Sequence, residues 1–447
     1  MERKPWQYQL LAIALSLVSG ALFALALPPR NISLLGWIAF LPLLAGTRLT
    51  NRVVIAAFCG MLVSITCALV LSGKWENLAQ YGNLVAAFGG LALVFAFVAA
   101  FSCFGAKRLS PGLWAVFVTL AAVTAELLSA HVFPVNVAIC QHHNPLALRL
   151  ASITGIWGVS ALLWLVPATT LALARGAKSS WPAVALLSLL LVAGLVPQPR
   201  NTGRKVGVAA IQAEDLDDTR LQTLKAARQA RIVVWPEYVS TTRNHIAYDT
   251  ARKARVYIVA SYQEDVPNGR PHNVAHLISS RGKLLGLFRK QHLFGREKFV
   301  FARGNPRLPI GVDGLKVGVP ICYDTQIPDV SRRLARDGAN LLMVPNSDPW
   351  MPNGLFGYLH SAIIPFRAAE NGIPIAWSEH SGLSTIIDGD GSTLAQAPLH
   401  TVGYAAARVT PRSRRTFYTM AGDYFAYMCA GGLVVVVVLC WKPRGDN

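Results

Sequence analysis

The chain has 447 residues, 53% of them hydrophobic and only 15% charged, with a formal net charge of +19 and a mean hydropathy of +0.39. That apolar balance excludes an ordinary soluble protein of this length. The basic excess sits largely in short loops beside apolar runs, with no zinc-finger spacing or nucleic-acid-binding fold motif. It therefore argues for membrane orientation and anionic head groups rather than nucleic acid.

Apolar stretches lie at 10–28, 31–46, 52–72, 82–104, 112–130, 151–174, 181–197 and 423–441. About 20 apolar residues fill a hydrocarbon core roughly 30 Å thick, so these read as eight spans. The first follows Met1-Glu2-Arg3-Lys4 and runs too long, without a small-residue cleavage site, to read as a removable leader. Pro28-Pro29-Arg30-Asn31 turns it into the second, which is short. Arg48, Arg52, Lys107, Arg108, Arg175 and Lys178 fall in alternate loops, on the side of the N-terminus. The excess of lysine and arginine then predicts cytoplasmic termini, with the stretch between the last two spans on the outer side. Expected boundaries are a seven-span body at 1–197, an outer domain at 198–421, and an eighth span with a short tail at 422–447.

Two features of the body invite chemistry. Glu126, near the end of a span, is either a functional intramembrane acid or a carboxylate that snorkels to the interface. The loop 131–150 carries His131, Phe133, Pro134 and the adjacent His142 and His143. No carboxylate or cysteine joins those histidines at ligand spacing, so a structured or lipid-facing loop is favoured over a metal site. No metal or cofactor is expected.

The outer segment alternates strand-like and helix-like runs. Strands are expected at 205–212, 231–235, 256–260, 315–321, 340–344, 373–378 and 383–387, with a hairpin pairing 274–278 and 284–288 around Gly282. Helices are expected at 217–228, 243–254, 328–337 and 358–371. The pattern is that of an α/β sandwich, and the paired strands between helices argue against a simple doubly wound sheet.

Three short stretches in this segment carry the chemistry. Val233-Val234-Trp235-Pro236-Glu237-Tyr238 sets a carboxylate after a strand. Phe288-Arg289-Lys290-Gln291-His292-Leu293 supplies an ammonium, and Gly318-Val319-Pro320-Ile321-Cys322-Tyr323-Asp324 a thiol. Of the seven cysteines, six lie in or beside apolar runs, where cysteine is usually a small hydrophobe. Cys322 alone stands in the polar segment, as a free thiol. A thiol at a strand end is held by the sheet and exposed above it as a nucleophile. A partly desolvated Glu237 has the pKa of a general base, and Lys290 would stabilise thiolate and oxyanion.

The ordered triplet resembles the nitrilase (carbon–nitrogen hydrolase) superfamily over roughly 203–410. That resemblance implies an αββα sandwich with Glu237, Lys290 and Cys322 as catalytic residues. The whole chain resembles the bacterial apolipoprotein N-acyltransferases, in its N-terminal membrane body and in Arg367-Ala368-Ala369-Glu370-Asn371-Gly372. The family resemblance implies a multi-pass protein of the bacterial inner membrane. It implies a phospholipid acyl donor, a cysteine thioester and transfer to the N-terminal S-diacylglyceryl-cysteine of lipoproteins.

The chain departs from the family pattern around the expected mouth of the site. His292-Leu293-Phe294-Gly295-Arg296-Glu297 is one residue short of the usual run and lacks its proline. Asp324 stands for the usual glutamate, Asn346-Ser347-Asp348-Pro349-Trp350 for Asn-Asp-Ala-Trp, and His380-Ser381-Gly382 for Asn-Thr-Gly. Glu297, Tyr323, Asp324, Trp350, Glu370 and His380 are the expected supporting or substrate-proximal residues. The departures leave room for a different amine acceptor. A membrane-anchored amidase and a binding scaffold without turnover are the further alternatives.

Overall fold

The computed structural model describes residues 5–72, 82–130, 136–176, 178–198, 200–237, 245–348 and 355–441. The chain divides into two compact units, residues 1–196 with 423–447 and residues 197–422.

The first unit is a cluster of apolar helices. Among the described residues, six are long and apolar enough to cross a membrane: Pro5–Ala26, Val53–Ser72, Ala86–Ala106, Pro111–Ser129, Ile156–Leu173 and Lys178–Leu195. Leu10, Val54, Leu93, Leu189 and Val434 stand exposed on the outside of this unit. Such a surface is stable only against lipid, so the unit is a polytopic membrane body.

Lipid tails are as apolar as leucine, so helices in a bilayer associate by close packing. A Cβ on Gly60 would lie 2.2 Å from the Phe95 carbonyl oxygen, and one on Gly20 2.5 Å from that of Val63. Glycine therefore lets neighbouring backbones touch. Beside these contacts, Phe40 stacks on Trp164 with ring centroids 4.0 Å apart, and Phe95 closes on both rings.

Two of the expected apolar stretches are not single continuous helices. The stretch 31–46 is not one helix but a 3-10 turn at Ser33–Trp37 followed by a helix at Leu41–Thr47. The run 151–174 is broken at Gly155, whose φ of +69 ends the amphipathic helix Pro145–Thr154 before Ile156–Leu173 begins. Much of the expected loop 131–150 is thus ordered, with a 3-10 turn at Val137–Gln141; residues 131–135, including His131, Phe133 and Pro134, lie outside the described residues. Glu126 does not snorkel. It is fully buried, with the Ser160 hydroxyl 2.8 Å from Oε2 and the Trp164 indole nitrogen 3.4 Å from Oε1.

The second unit holds twelve strands among its described residues. In chain order they are β1 Val206–Gln212, β2 Ile232–Val234, β3 Tyr257–Glu264, β4 His272–Ile278, β5 Leu284–Arg289, β6 Ile310–Val312, β7 Leu315–Gly318, β8 Leu341–Pro345, β9 Ile375–Ser378, β10 Thr385–Ile387, β11 Thr393–Gln396 and β12 Gly403–Val409. They form two six-stranded sheets, β12-β1-β2-β3-β4-β5 and β11-β10-β9-β8-β7-β6. The centres are parallel, β1–β2–β3 and β7–β8–β9, and the flanking strands are antiparallel.

Sheets covered on both faces call for continuous apolar strands, and β2, β8 and β9 are buried at every position. The helices Leu216–Ala226 and Ile246–Ala254 cover the first sheet, their alanines meeting Ala209, Val233 and Ile258. Pro328–Arg336 and Ile364–Asn371 cover the second. The sheets are stitched face to face where the hydroxyls of Ser378 and Ser384 donate to the Ile211 carbonyl, at 2.5 and 3.1 Å. This is the αββα sandwich, with mixed rather than simply doubly wound sheets.

The expected strand 315–321 ends at Gly318, because Pro320 cannot donate to a ladder. The expected helix 358–371 is two helices, Leu355–Ser361 and Ile364–Asn371. Strands β6, β11 and β12 were not expected at all.

Candidate active site

Six chain segments deliver polar side chains to one end of the sandwich, each at or just beyond a strand terminus. The strand β2 leads through Trp235 and Pro236 to Glu237, and β5 ends next to Lys290. The strand β7 leads to Cys322, β8 to Asn346 and Asp348, and β9 to Glu379 and His380. Asn273 reaches the same end from the start of β4.

Lys290 is the centre of this arrangement. Its side chain is 1% exposed, and Nζ donates to Glu237 Oε1 and to Glu297 Oε1, both at 2.8 Å. Burial opposes the ammonium, but Cys322 when ionised and the carboxylates of Glu237 and Glu297 outweigh it and raise the lysine well above its usual pKa. Asn273 Nδ2 donates to Glu237 Oε1 at 2.7 Å and lies 3.3 Å from Glu297 Oε1. Glu297 also accepts from the Phe294 amide at 2.8 Å, so the shortened loop after Lys290 still brings its carboxylate to the ammonium.

Glu237 is buried, and that burial raises its pKa above the ordinary carboxylate range while Lys290 pulls the other way. Its backbone is fixed from the opposite sheet: its amide donates to the Asn346 carbonyl at 3.0 Å. Its own carbonyl lies 3.1 Å from His380 Nε2. A carbonyl only accepts, so that ring nitrogen carries the hydrogen. Burial lowers the His380 pKa, consistent with a neutral imidazole.

Cys322 is buried and free, at the first position of the 3-10 turn Cys322–Gln326. Its φ is +49, a left-handed conformation that costs a non-glycine residue energy and recurs at functional sites. Burial, then the negative charge of Glu237, pushes the thiol well above its usual pKa against the pull of Lys290. At neutral pH the resting sulfur is therefore a thiol, and its nucleophilic form requires a base.

The turn is clamped from two sides. Asp324 accepts from the amides of His292 at 2.8 Å, Ile321 at 3.1 Å and Gln291 at 3.2 Å. It ties the Cys322 turn to the segment after Lys290. Behind it, Arg367 Nε donates to the Thr325 carbonyl at 2.9 Å, and Glu370 forms an ion pair with the same guanidinium. Glu370 is fully buried in the helix layer, and its ion pair with Arg367 connects it to the turn. The Tyr323 ring packs on Phe294 at 4.9 Å between centroids, and burial pushes its phenol up to about 12. Trp350 and Tyr238 lie outside the described residues.

The family models divide the chain as the two units do. Residues 205–417 match the carbon-nitrogen hydrolases, and residues 19–169 match the apolipoprotein N-acyltransferase N-terminal domain. At the level of family, the chain is thus similar to the apolipoprotein N-acyltransferases along its length and to the carbon–nitrogen hydrolases over its second unit. The apolipoprotein N-acyltransferase of Geobacter metallireducens is 27% identical, over 96% of this chain and 95% of its own length. That of Allorhizobium ampelinum is 28% identical over 91% and 90%. An (R)-stereoselective amidase of Pseudomonas sp is 31% identical over 38% of this chain and 61% of the amidase. The fold, the buried free cysteine and the Glu–Lys ion pairs fit a cysteine-based enzyme of this superfamily.

Sequence reasoning missed a second polar cluster beside the first. Asn346 Nδ2 donates to Asp348 Oδ2 at 2.9 Å and also contacts Glu379 Oε1. The Trp377 indole lies 3.1 Å from the same Glu379 oxygen, and His360 Nδ1 lies 2.9 Å from Asp348 Oδ2. Burial and the neighbouring Asp348 raise the pKa of Glu379 well above the ordinary carboxylate range, which favours its protonated form. His360 and the hydrogen bonds to Asp348 overcome burial and keep that carboxylate ionised. The signal available in sequence was the pair of carboxylates, Asp348 and Glu379, each within three residues of the end of an apolar strand.

Proposed function

We propose that the protein is a phospholipid-dependent N-acyltransferase that acylates the N-terminal S-diacylglyceryl-cysteine of lipoproteins through a thioester on Cys322. The observation that carries this reading is the buried Glu237–Lys290–Glu297 network beside a free, strained Cys322, in a chain similar along 96% of its length to an apolipoprotein N-acyltransferase. Glu237, Lys290 and Cys322 are its catalytic residues. Glu297, Tyr323, Asp324 and His380 support them, Glu370 does so through its ion pair with Arg367, and Trp350 is a further substrate-proximal residue on the family resemblance alone.

In the first half-reaction Glu237 takes the thiol proton and the Cys322 sulfur attacks the ester carbonyl carbon. Lys290 Nζ faces the negative charge that develops on the carbonyl oxygen. The C–O bond breaks, the proton on Glu237 passes to the departing alkoxide, and lysophospholipid leaves a Cys322 thioester. In the second, a neutral amine attacks the thioester carbonyl carbon and Glu237 accepts its proton. The C–S bond breaks and the proton returns to sulfur. Ester and amine become amide and alcohol, with no further reactant. Exclusion of water lets aminolysis outrun hydrolysis.

The same reading assigns the chain to the bacterial inner membrane with both termini cytoplasmic. Residues 1–197 form a seven-span body, 198–421 the outer catalytic domain, and 422–447 the eighth span and tail. The departures at Asn346-Ser347-Asp348-Pro349-Trp350 and His380-Ser381-Gly382 support a second possibility for the acceptor alone, another primary amine. Incubating the full chain with labelled phospholipid and a diacylated lipopeptide tests the proposal. Acyl label on the peptide amine is the expected product. Release of the label only as free fatty acid, with acceptor present, would instead support an amidase-like hydrolase.

A further inference from the structure

At the other end of the catalytic sandwich, β1 and β2 begin at a groove of about 940 Å³. Its walls carry seven lysines and arginines against one carboxylate, whereas the chain as a whole has 42 against 23. The single carboxylate, Asp313, is already committed: it pairs with Arg231 and accepts the Tyr257 hydroxyl at 2.6 Å. Among the described residues, Arg204, Lys205, Arg228, Arg255, Arg408 and Arg412 have no ion-pair partner.

Two of these cations sit at a cost. Arg255 has a φ of +54, a left-handed position where glycine would be at ease. Arg412 donates Nε to the Ala339 carbonyl at 3.0 Å, yet burial and neighbouring Arg415 push its pKa down to about 10. Uncompensated like charge gathered in one concavity repels itself and attracts counter-anions. All but one of the seven are arginines, whose planar fork matches phosphate oxygens two at a time. The length of β1, at about 3.3 Å per residue, separates this groove from the catalytic end by roughly 20 Å.

We propose that this groove is a binding site for phosphate-bearing anions, distinct from the acyl-transfer site. An anionic phospholipid head group and a free pyrophosphate offer it the same chemistry. The test is arginine footprinting with phenylglyoxal on the full chain in non-ionic detergent, read by peptide mass. Its arms are inorganic pyrophosphate, phosphatidylglycerol and, as the zwitterionic control, phosphatidylcholine.

Either anion should slow modification of Arg228, Arg255 and Arg408 while leaving the exposed Arg281, outside the groove, unchanged. Protection by phosphatidylglycerol alone identifies a lipid head group, and protection by pyrophosphate alone a soluble phosphate. The double substitution Arg228→Gln/Arg408→Gln should weaken the protecting anion by about tenfold, the loss expected for a charge-assisted hydrogen bond or more. Its thermal melt checks that it folds. Equal modification of all three arginines with and without both anions overturns the proposal, as does matching protection of Arg281.

Discussion

The two ends of the catalytic sandwich handle charge in opposite ways. At the catalytic end Lys290 is buried and meets Glu237 and Glu297, each at 2.8 Å. At the other end six cations line a groove and lack such partners among the described residues. Buried charges are tolerable only when paired and hydrogen-bonded, and a paired set is already arranged for a reaction that creates charge. Cations without a counter-charge in the groove, most of them exposed, remain available to a diffusing anion. Buried pairs should resist added salt, while a groove open to water is screened over a Debye length of roughly 8 Å at physiological ionic strength.

The sharpest way to break this comparison is to unpair the buried end. Lys290→Met should lower acyl transfer by about 10²–10³-fold or more, the range seen when a preorganised stabiliser of developing charge is removed. It should also destabilise the domain by roughly 3–5 kcal/mol, because Glu237 loses its buried counter-ion. Single-turnover rates and a chemical melt read the two effects. Wild-type rates in a folded variant would mean that the buried pair is structural only.

A smaller effect is expected at Glu379. Its folded pKa is raised by burial and Asp348, so the folded state holds the proton more tightly than the unfolded chain. The resulting stabilisation is complete below the unfolded value of about 4.3 and is lost as pH rises through the folded value. Glu379→Gln keeps the shape and removes the titration. Its Tm should therefore match the parent at pH 4 and equal or exceed it by a few degrees, ~2–4 °C, at pH 8. A variant that loses more stability at pH 8 than at pH 4 would show that Glu379 is ionised in the fold.

How much of this was legible in the sequence follows from how local each signal is. Glu237, Lys290 and Cys322 each stand next to a buried strand, and the apolar runs before Trp235 and Ile321 mark those strands plainly. The helix pattern at 217–228 was likewise local and appears as Leu216–Ala226. Strand β12 escaped because Gly403-Tyr404-Ala405-Ala406-Ala407 carries alanine where a strand usually shows branched side chains. It is held by pairing with β1 across nearly 200 residues of chain. Asn273, Asp348 and Glu379 escaped for a related reason. Their roles lie in contacts between distant segments, Asn273 with Glu237 and Glu297, Asp348 with His360 and Glu379 with Asn346, that no spacing within one segment records. In the membrane body, Gly155 was one glycine among many, and only its positive φ reveals it as the break between two helices.

The central claim is that Cys322 carries the acyl group between donor and acceptor. Intact mass of the Cys322-containing peptide, taken after exposing the full chain to phospholipid without an amine acceptor, tests it most directly. The account predicts a peptide heavier by one acyl chain, labile to hydroxylamine, that returns to its original mass when a diacylated lipopeptide is added, and no adduct in Cys322→Ala. Turnover to acylated peptide with Cys322 unmodified throughout, or persisting in Cys322→Ala, would contradict it.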